Sequence, residues 1–306
     1  MKVFYDLEHI DSQDRSGALS IGNFDGAHRG HALIIQRLRE QAQRVGGPAT
    51  IFTFDPHPGC LLRPDAAPAP LTCPEQKIAA FQQLGVDAVI VYPTDQDLLD
   101  LSAGDFFQRV ACDQLDAKAL VEGANFGFGR GREGDVHALR RLCDQAGARL
   151  TVVPPVEDGG RPVSSSRIRE SLFQGDVQAA AGLLGRPYQL LGKVVRGAGR
   201  GATIGFPTAN LAEICTLLPA AGVYAGTAAR DDRTWPAAIN VGPNPTFGEH
   251  ALKLEVHLID DEIDLYGQRL KVDFVRRLRD IRRFDGVESL QAQLRQDVDS
   301  ARSALA

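Results

Sequence analysis

Two histidines three residues apart, His28 and His31, lie in the stretch SIGNFDGAHRGHALIIQRL (Ser20 to Leu38), where an apolar run gives way to helical spacing. A strand ending at Asn23 or Phe24, a glycine-containing turn and a helix starting near Arg29 would aim free backbone N–H groups and the positive helix end at one point, which is an anion site. On the first helical turn both imidazoles can face one ligand. There they can donate hydrogen bonds to charge developing on a transferred phosphoryl group. Gly30 between them leaves room for a phosphate or base to approach the backbone. On these residues alone two other readings stay open: a solvated or capping pair, and a zinc pair that lacks a third ligand at a convincing spacing.

Other stretches carry weaker chemistry of their own. Ser164 to Ser166 precede a helical run and could be an N-cap, with Arg167 and Arg169 on a solvated face. Asp55 and His57 in DPHP each precede a proline and could simply shape a turn. GRGREG (Gly129 to Gly134) satisfies G-x-G-x-x-G, but two arginines and a glutamate crowd it and it falls late in its half of the chain, so a dinucleotide fingerprint is disfavoured. GKVVRGAGRGATIGFPTANL (Gly192 to Leu211) is a glycine-rich rim able to approach phosphates, without the G-x-x-x-x-G-K-[ST] of a Walker loop.

The elements that must position these residues differ between the two halves. Up to about Val153, short β-rich runs alternate with helical patterns, which predicts a mainly parallel sheet with right-handed crossovers and ligands at the carboxyl ends of strands. SSSRIRESLFQGDVQAAAGLLGRPY reads as a helical stretch closed by Gly185 and Pro187. From Gln189 the period is two: in LKLEVHLI, Leu252, Leu254, Val256 and Leu258 face one way and Lys253, Glu255 and His257 the other. A small antiparallel barrel ending in a helix from about Val287 is expected, with the domain boundary at 183/184.

Composition is compatible with two soluble domains: 306 residues, 43% hydrophobic and 24% charged. A net charge of −5 argues against a nucleic-acid backbone as main partner. The N-terminal stretch does not read as a secretory signal and no run approaches a membrane span. The five cysteines, odd in number and never in a Cys-x-x-Cys pair, argue against a disulfide framework, and the cytoplasm is the expected compartment.

GNFDGAHRGH resembles the His-x-Gly-His signature of the nucleotidyltransferase superfamily, in the form found in the FMN adenylyltransferase module of bacterial bifunctional riboflavin kinase/FAD synthetases. FTFDPHP, VEGANFGFGRGREGD and VSSSRIRE resemble that module's later motifs in the same order. The resemblance implies a Rossmann-like α/β domain at 1–183. It implies that Gly22, Asn23, Phe24, Asp25, Gly26, His28 and His31 bind ATP, with His28 and His31 catalytic, and that Ser165, Ser166 and Arg167 contact the triphosphate. It places Asp55, His57, Asn125, Phe126 and Phe128 near the flavin.

Pro207, Thr208, Ala209 and Asn210 resemble the Pro-Thr-Ala-Asn signature of riboflavin kinases, which implies a six-stranded antiparallel β-barrel at 184–306. By that similarity Gly197, Gly199, Gly205, Pro207, Thr208 and Asn210 hold ATP, Thr208 and Asn210 hold Mg2+, and Glu255 takes the proton from the 5′-hydroxyl of riboflavin. From strand pattern alone, Glu255 would be an exposed residue paired with Lys253. Asn244, Thr246 and Phe247 are expected near the flavin of the kinase, although a turn explains them equally. Two departures stand out: Ile281 where the family usually has a glutamate, removing a salt bridge or flavin contact, and Ala69 and Pro70 where a basic residue is frequent. The resemblance implies the substrates riboflavin, FMN and ATP, no nucleic acid, no membrane, and leaves a homo-oligomer open. The alternatives are a flavin- or nucleotide-binding regulator without turnover, and a chain retaining one activity only.

Overall fold

The computed structural model describes residues 1–243, 253–261 and 263–306; Asn244, Thr246 and Phe247 lie outside them. The chain forms two compact units, Met1–Ser164 and Ser165–Ala306. The expected boundary at 183/184 would instead group the segment between Ser165 and Leu184 with the sheet.

The first unit is built on six parallel strands, β1 (Lys2–Phe4), β2 (Ala18–Ile21), β3 (Ala49–Asp55), β4 (Ala88–Pro93), β5 (Ala119–Gly123) and, after a hairpin of β6 (Gly127–Phe128) and β7 (Gly134–Asp135), β8 (Arg149–Val153). Their order is β1-β4-β3-β2-β5-β8. Helices α1 (Arg29–Val45), α2 (Pro58–Leu62), α3 (Pro74–Gln83), α4 (Gln96–Leu99), α5 (Ala103–Phe106) and α6 (Val136–Ala146) lie in the connections. Apolar cores cover both faces, which is why strands such as β4 read as unbroken apolar runs rather than alternating ones. In α1, Ile35, Leu38 and Ala42 turn one stripe into the core, and Gly46 ends the helix at φ 73°.

The chain runs from β2 through β3 to β4 on one side, then crosses back to β5 and β8 on the other. Order therefore reverses beside β2 and β5, and the crevice outside their carboxyl ends is the natural ligand site of such a sheet. G-x-G-x-x-G proves to be the turn of the β6–β7 hairpin, with Gly129 and Gly131 at positive φ, and not the first crossover of a dinucleotide fold. Past α5 the chain continues as a wider π-helical coil at Phe107–Gln114, and Phe106, Phe107, Val110 and Ala111 are buried together. A final hairpin, β9 (Glu157–Asp158) with β10 (Arg161–Pro162), closes the first unit.

In the second unit the single helical stretch expected after Ser164 is two helices, α7 (Ser165–Phe173) and α8 (Val177–Leu184). Gly175 at φ 75° breaks the first, and Asp176 caps the second by accepting the Ala179 N–H at 2.9 Å. Helix α8 packs on the first and last strands of a closed antiparallel barrel. Those strands are β11 (Tyr188–Val195), β12 (Ala209–Ala212), β13 (Gly222–Arg230), β14 (Arg233–Gly242), β15 (Lys253–Leu258) and β16 (Arg269–Arg279), in the order β11-β12-β15-β14-β13-β16. A short α9 (Arg200–Thr203) follows β11, and the terminal α10 (Val287–Leu305) begins where the sequence predicts it. The α10 helix is tied to the barrel by a bidentate pair, Arg279 Nε and Nη2 donating to Asp297 at 2.8 and 2.6 Å, with Asp297 buried.

Candidate active sites

In the first unit the loop after β2 meets the start of α1 at the expected crevice. His28 is the N-cap of α1, its Nδ1 accepting the His31 N–H at 3.3 Å. The two rings stack 3.6 Å apart at 15°. The pair thus caps the helix and lines a cavity at once, the capping contact holding the His28 ring. A Cβ on Gly30 would lie 3.1 Å from the His28 ring, so the glycine makes room for the imidazole as much as for a ligand.

The cavity here is walled by Gly22, Asn23, Phe24, His28, Gly30, His31, Glu122, Asn125, Phe126, the prolines Pro154 and Pro155, and Val163, among others. Asn23 Oδ1 is buried there with no hydrogen-bond partner among the described residues, an acceptor open to a ligand donor. Several expected residues lie elsewhere. The Asp25 carboxylate accepts the Leu71 and Thr72 N–H groups at 3.0 to 3.1 Å, and the Gly26 N–H goes to Thr72 Oγ1. These two brace the loop from behind and do not line the cavity, because their polar groups point at residues 71–72. Phe128 is buried in the core, stacked on Phe126. Asp55 ends β3, and His57 caps α2 through the Gly59 N–H at 2.9 Å, which is the turn-shaping role. Ser165, Ser166 and Arg167 open α7 in the second unit.

Lys77 and Glu122 are the residues that motif reading missed. Lys77 of α3 is buried, its ammonium 3.5 Å from the Asn23 carbonyl and 3.3 Å from that of Phe54. Burial lowers its pKa against the opposing pull of Asp25 and Asp55. Its signal was spacing: Lys77 falls one turn before the buried Phe81, on the face of α3 that turns inward.

In the barrel, β15 lies between β12 and β14, and register sets Glu255 opposite Asn210 on one side and Asn240 on the other. Asn240 Nδ2 stands 3.5 Å from Glu255 Oε2. These three polar side chains line one cavity with Thr208, His257, Gly199 and Gly201. The His257 ring is held by Nδ1 donating to the Pro207 carbonyl at 2.8 Å and by an edge contact with Phe206. Of the expected kinase residues, Gly197, Gly205 and Pro207 sit behind this wall. A Cβ on Gly197 would lie 2.3 Å from Asn210 Nδ2, and one on Gly201 2.3 Å from the Phe206 carbonyl oxygen, so Gly197 makes room for the Asn210 side chain and Gly201 for the backbone that leads to Thr208. Ile281 lines the same cavity and packs against Gly242, filling with apolar bulk a place where a glutamate would put charge. Asn240 and His257 were not anticipated, although both belong to period-two strands whose other face is buried.

Residues 10–167 match the FAD synthetase family and residues 184–305 the riboflavin kinase family. A bifunctional riboflavin kinase/FMN adenylyltransferase of Pseudomonas fluorescens is 37% identical, covering 100% of this chain and 98% of its own. The chain belongs to the bifunctional riboflavin kinase/FMN adenylyltransferase family. The family's protein from Escherichia coli K12 is 35% identical over 99% of this chain and 97% of its own. A solved structure described as a macrolide-efflux protein from Streptococcus pneumoniae superposes with a TM-score of 0.86 at 30% identity, covering 98% of each chain. Among the described residues of this family member, no helix is long and apolar enough to cross a membrane. The sheet unit thus carries the FAD synthetase match and the barrel falls within the riboflavin kinase match, both in one chain.

Proposed function

We propose that the barrel transfers the γ-phosphoryl group of ATP to the 5′-hydroxyl of riboflavin, giving FMN and ADP, and that the sheet unit transfers AMP from a second ATP to FMN, giving FAD and pyrophosphate. The observation that carries this reading is the row Asn210–Glu255–Asn240, three polar residues set side by side by register, with Asn240 Nδ2 3.5 Å from the Glu255 carboxyl, on a wall with Thr208, Gly199 and Gly201. A phosphoryl acceptor hydroxyl needs a base within reach and the phosphates need positioning, and that row supplies both kinds of group.

In the kinase, Glu255 takes the hydroxyl proton as the riboflavin oxygen attacks the γ-phosphorus and ADP leaves. Asn240 points an N–H at the carboxyl and so orients it. Thr208 and Asn210 offer oxygen donors of the kind a hard divalent cation takes, and Gly197 leaves room for the Asn210 amide. They would hold Mg2+, which supplies charge neutralisation on the phosphates when bound. Among the described residues no cluster of three His, Cys, Asp or Glu side chains could hold a metal, so phosphate oxygens would complete the shell, as is usual for magnesium.

In the adenylyltransferase, an FMN phosphate oxygen attacks the α-phosphorus of ATP and pyrophosphate departs. His28 and His31, stacked at the α1 N-terminus, donate hydrogen bonds to the phosphates, where the helix end also favours negative charge. Gly22, Asn23 and Phe24 border the nucleotide, and Asn125 and Phe126 the flavin. Ser165, Ser166 and Arg167 are proposed as triphosphate contacts, in keeping with a FAD synthetase match that extends through residue 167. All five cysteines are free, compatible with action in the cytoplasm.

The test is chromatographic separation of flavins after incubating the purified chain with riboflavin, ATP and magnesium. FMN should form first and FAD after it. Binding of flavin and ATP with no product would favour a regulator that has kept the fold and lost turnover.

A further inference from the structure

Adenylyl transfer as proposed leaves one carboxyl on the cavity wall without a task. Glu122, the fourth residue of β5, faces the same cavity as His28 and His31 and is only 2% exposed. Strands β2 and β5 pair at Ala18/Ala119 and Leu19/Leu120 and then part. The Glu122 side chain fills the gap, Oε1 accepting the Ile21 N–H at 2.6 Å. A buried strand N–H that has lost its ladder partner needs such an acceptor. The other oxygen, Oε2, hydrogen-bonds to no described residue. A parallel strand buried on both faces ordinarily carries an aliphatic residue at such a position, and burying a carboxyl there is costly unless both its oxygens find partners.

The surroundings decide its form. Across the cavity stand His28, the cap of α1, and His31 in the first turn. Behind it lies the Cys143 thiol of α6, pushed up to about 12 by burial. The ladder partner on β8 is apolar Val152, and among the described residues no lysine or arginine pairs with it. Burial therefore raises its pKa well above the ordinary glutamate value, opposed only by the Ile21 N–H. A neutral acid suits both contacts at once, since its carbonyl oxygen can accept from Ile21 while its hydroxyl donates.

We propose that Glu122 is a ligand-binding residue of this cavity, acting as a neutral carboxylic acid whose Oε2 hydroxyl donates to an uncharged acceptor, a ring nitrogen or carbonyl, of the bound nucleotide or flavin. The inference rests on the adenylylation reading of the site. An ionised carboxylate so placed would lose the donor and repel a polyphosphate, so binding weakens as pH rises through the Glu122 titration.

The experiment compares the wild-type chain with Glu122→Gln and Glu122→Leu. Infrared difference spectra of wild type against Glu122→Gln should show a protonated-carboxyl stretch at pH 7 that shifts when ATP or FMN is added, and whichever of the two moves it contains the acceptor. In FAD formation from FMN, the KM for that same substrate should rise at alkaline pH in wild type. It should be flat in Glu122→Gln, whose amide keeps an acceptor and a donor without titrating. Glu122→Leu should raise it roughly tenfold at pH 7, the scale of one hydrogen bond with its desolvated partner, with kcat retained and a cooperative urea-unfolding transition of the sheet unit as evidence of folding. The inference is overturned if the stretch is absent or moved by neither ligand, or if Glu122→Gln keeps the alkaline rise. Should the wild-type chain form no FAD while the stretch still responds to ligand, the adenylylation reading fails and the Glu122 contact stands.

Discussion

Replacing Gly197 by alanine tests the kinase site through a residue that touches no substrate. Its φ lies outside the left-handed region, so alanine meets no backbone obstacle. The new methyl would lie 2.3 Å from Asn210 Nδ2 and 2.8 Å from Oδ1, whereas carbon contacts settle at about 3.5 Å. The amide must retreat by about 1.2 Å. It can do so because it is the free end of a side chain, so stability should change by less than about 1 kcal/mol. The displaced amide, however, lines the cavity with Thr208 and Glu255. A misplacement of about 1 Å at a reacting centre costs on the order of 100-fold in rate. The expected result is riboflavin phosphorylation reduced about 100-fold, with Tm shifted by only a few degrees and FMN adenylylation unchanged. The assay follows FMN formation from riboflavin and, separately, FAD formation from supplied FMN. Kinase activity within threefold of wild type would refute the placement of Asn210 in the phosphate site, and a parallel fall in adenylylation would refute two separable sites.

Four further outcomes are expected. The double substitution His28→Ala with His31→Ala should abolish FAD formation while FMN accumulates from riboflavin, each lost donor costing on the order of 100-fold. Glu255→Gln should stop FMN formation and leave conversion of supplied FMN to FAD intact, read by the same flavin separation. Arg279→Met strands the buried Asp297 carboxylate and should cost about 3 to 5 kcal/mol in urea unfolding of the barrel. Native Glu122 holds its proton above the ordinary glutamate pKa of 4.5, so between 4.5 and its raised native value the folded state binds more protons than the unfolded one, and wild-type stability falls as pH rises. Glu122→Gln removes that slope, and its stability relative to wild type should increase from pH 5 to pH 8 in chemical denaturation; no change would mean the side chain is not a buried acid.

Much of this organisation was legible because two periodicities carry it. Buried parallel strands such as Ala88–Pro93 and the alternating Lys253–Leu258 announce a sheet and a barrel without help. Short elements did not announce themselves: Lys2–Phe4 and Ala209–Ala212 are too brief and too partly buried to show a period. The break between α7 and α8 hangs on a single glycine, Gly175, inside a run of good helix formers. At the sites, motif strings found the histidine pair and the Thr208–Asn210 corner but blurred contact with support. Asp25, Gly26 and Gly197 stand beside true wall residues in sequence and face away from the cavity in space. Asn240, Lys77 and Glu122 come together with the sites only through register or helix face, which no short motif records.

The two candidate sites solve the same electrostatic problem by different means. On the proposed reading, the charge of the phosphates at the sheet would be met by a helix N-terminus, a fixed feature of the backbone, with the imidazoles refining it; a side-chain loss there should leave residual binding. In the barrel, opposite register places Asn210 and Asn240 on either side of Glu255, and on the proposed reading it is these side chains that meet the phosphates, in a cavity that α10 also lines through Leu290 and Leu294. Its competence would therefore depend on side chains whose placement Gly197 leaves room for. This asymmetry predicts that crowding substitutions at Gly197 and Gly201 harm the kinase more than a cap substitution harms nucleotide binding by the adenylyltransferase, measurable as rate loss in one and as retained ATP affinity in the other.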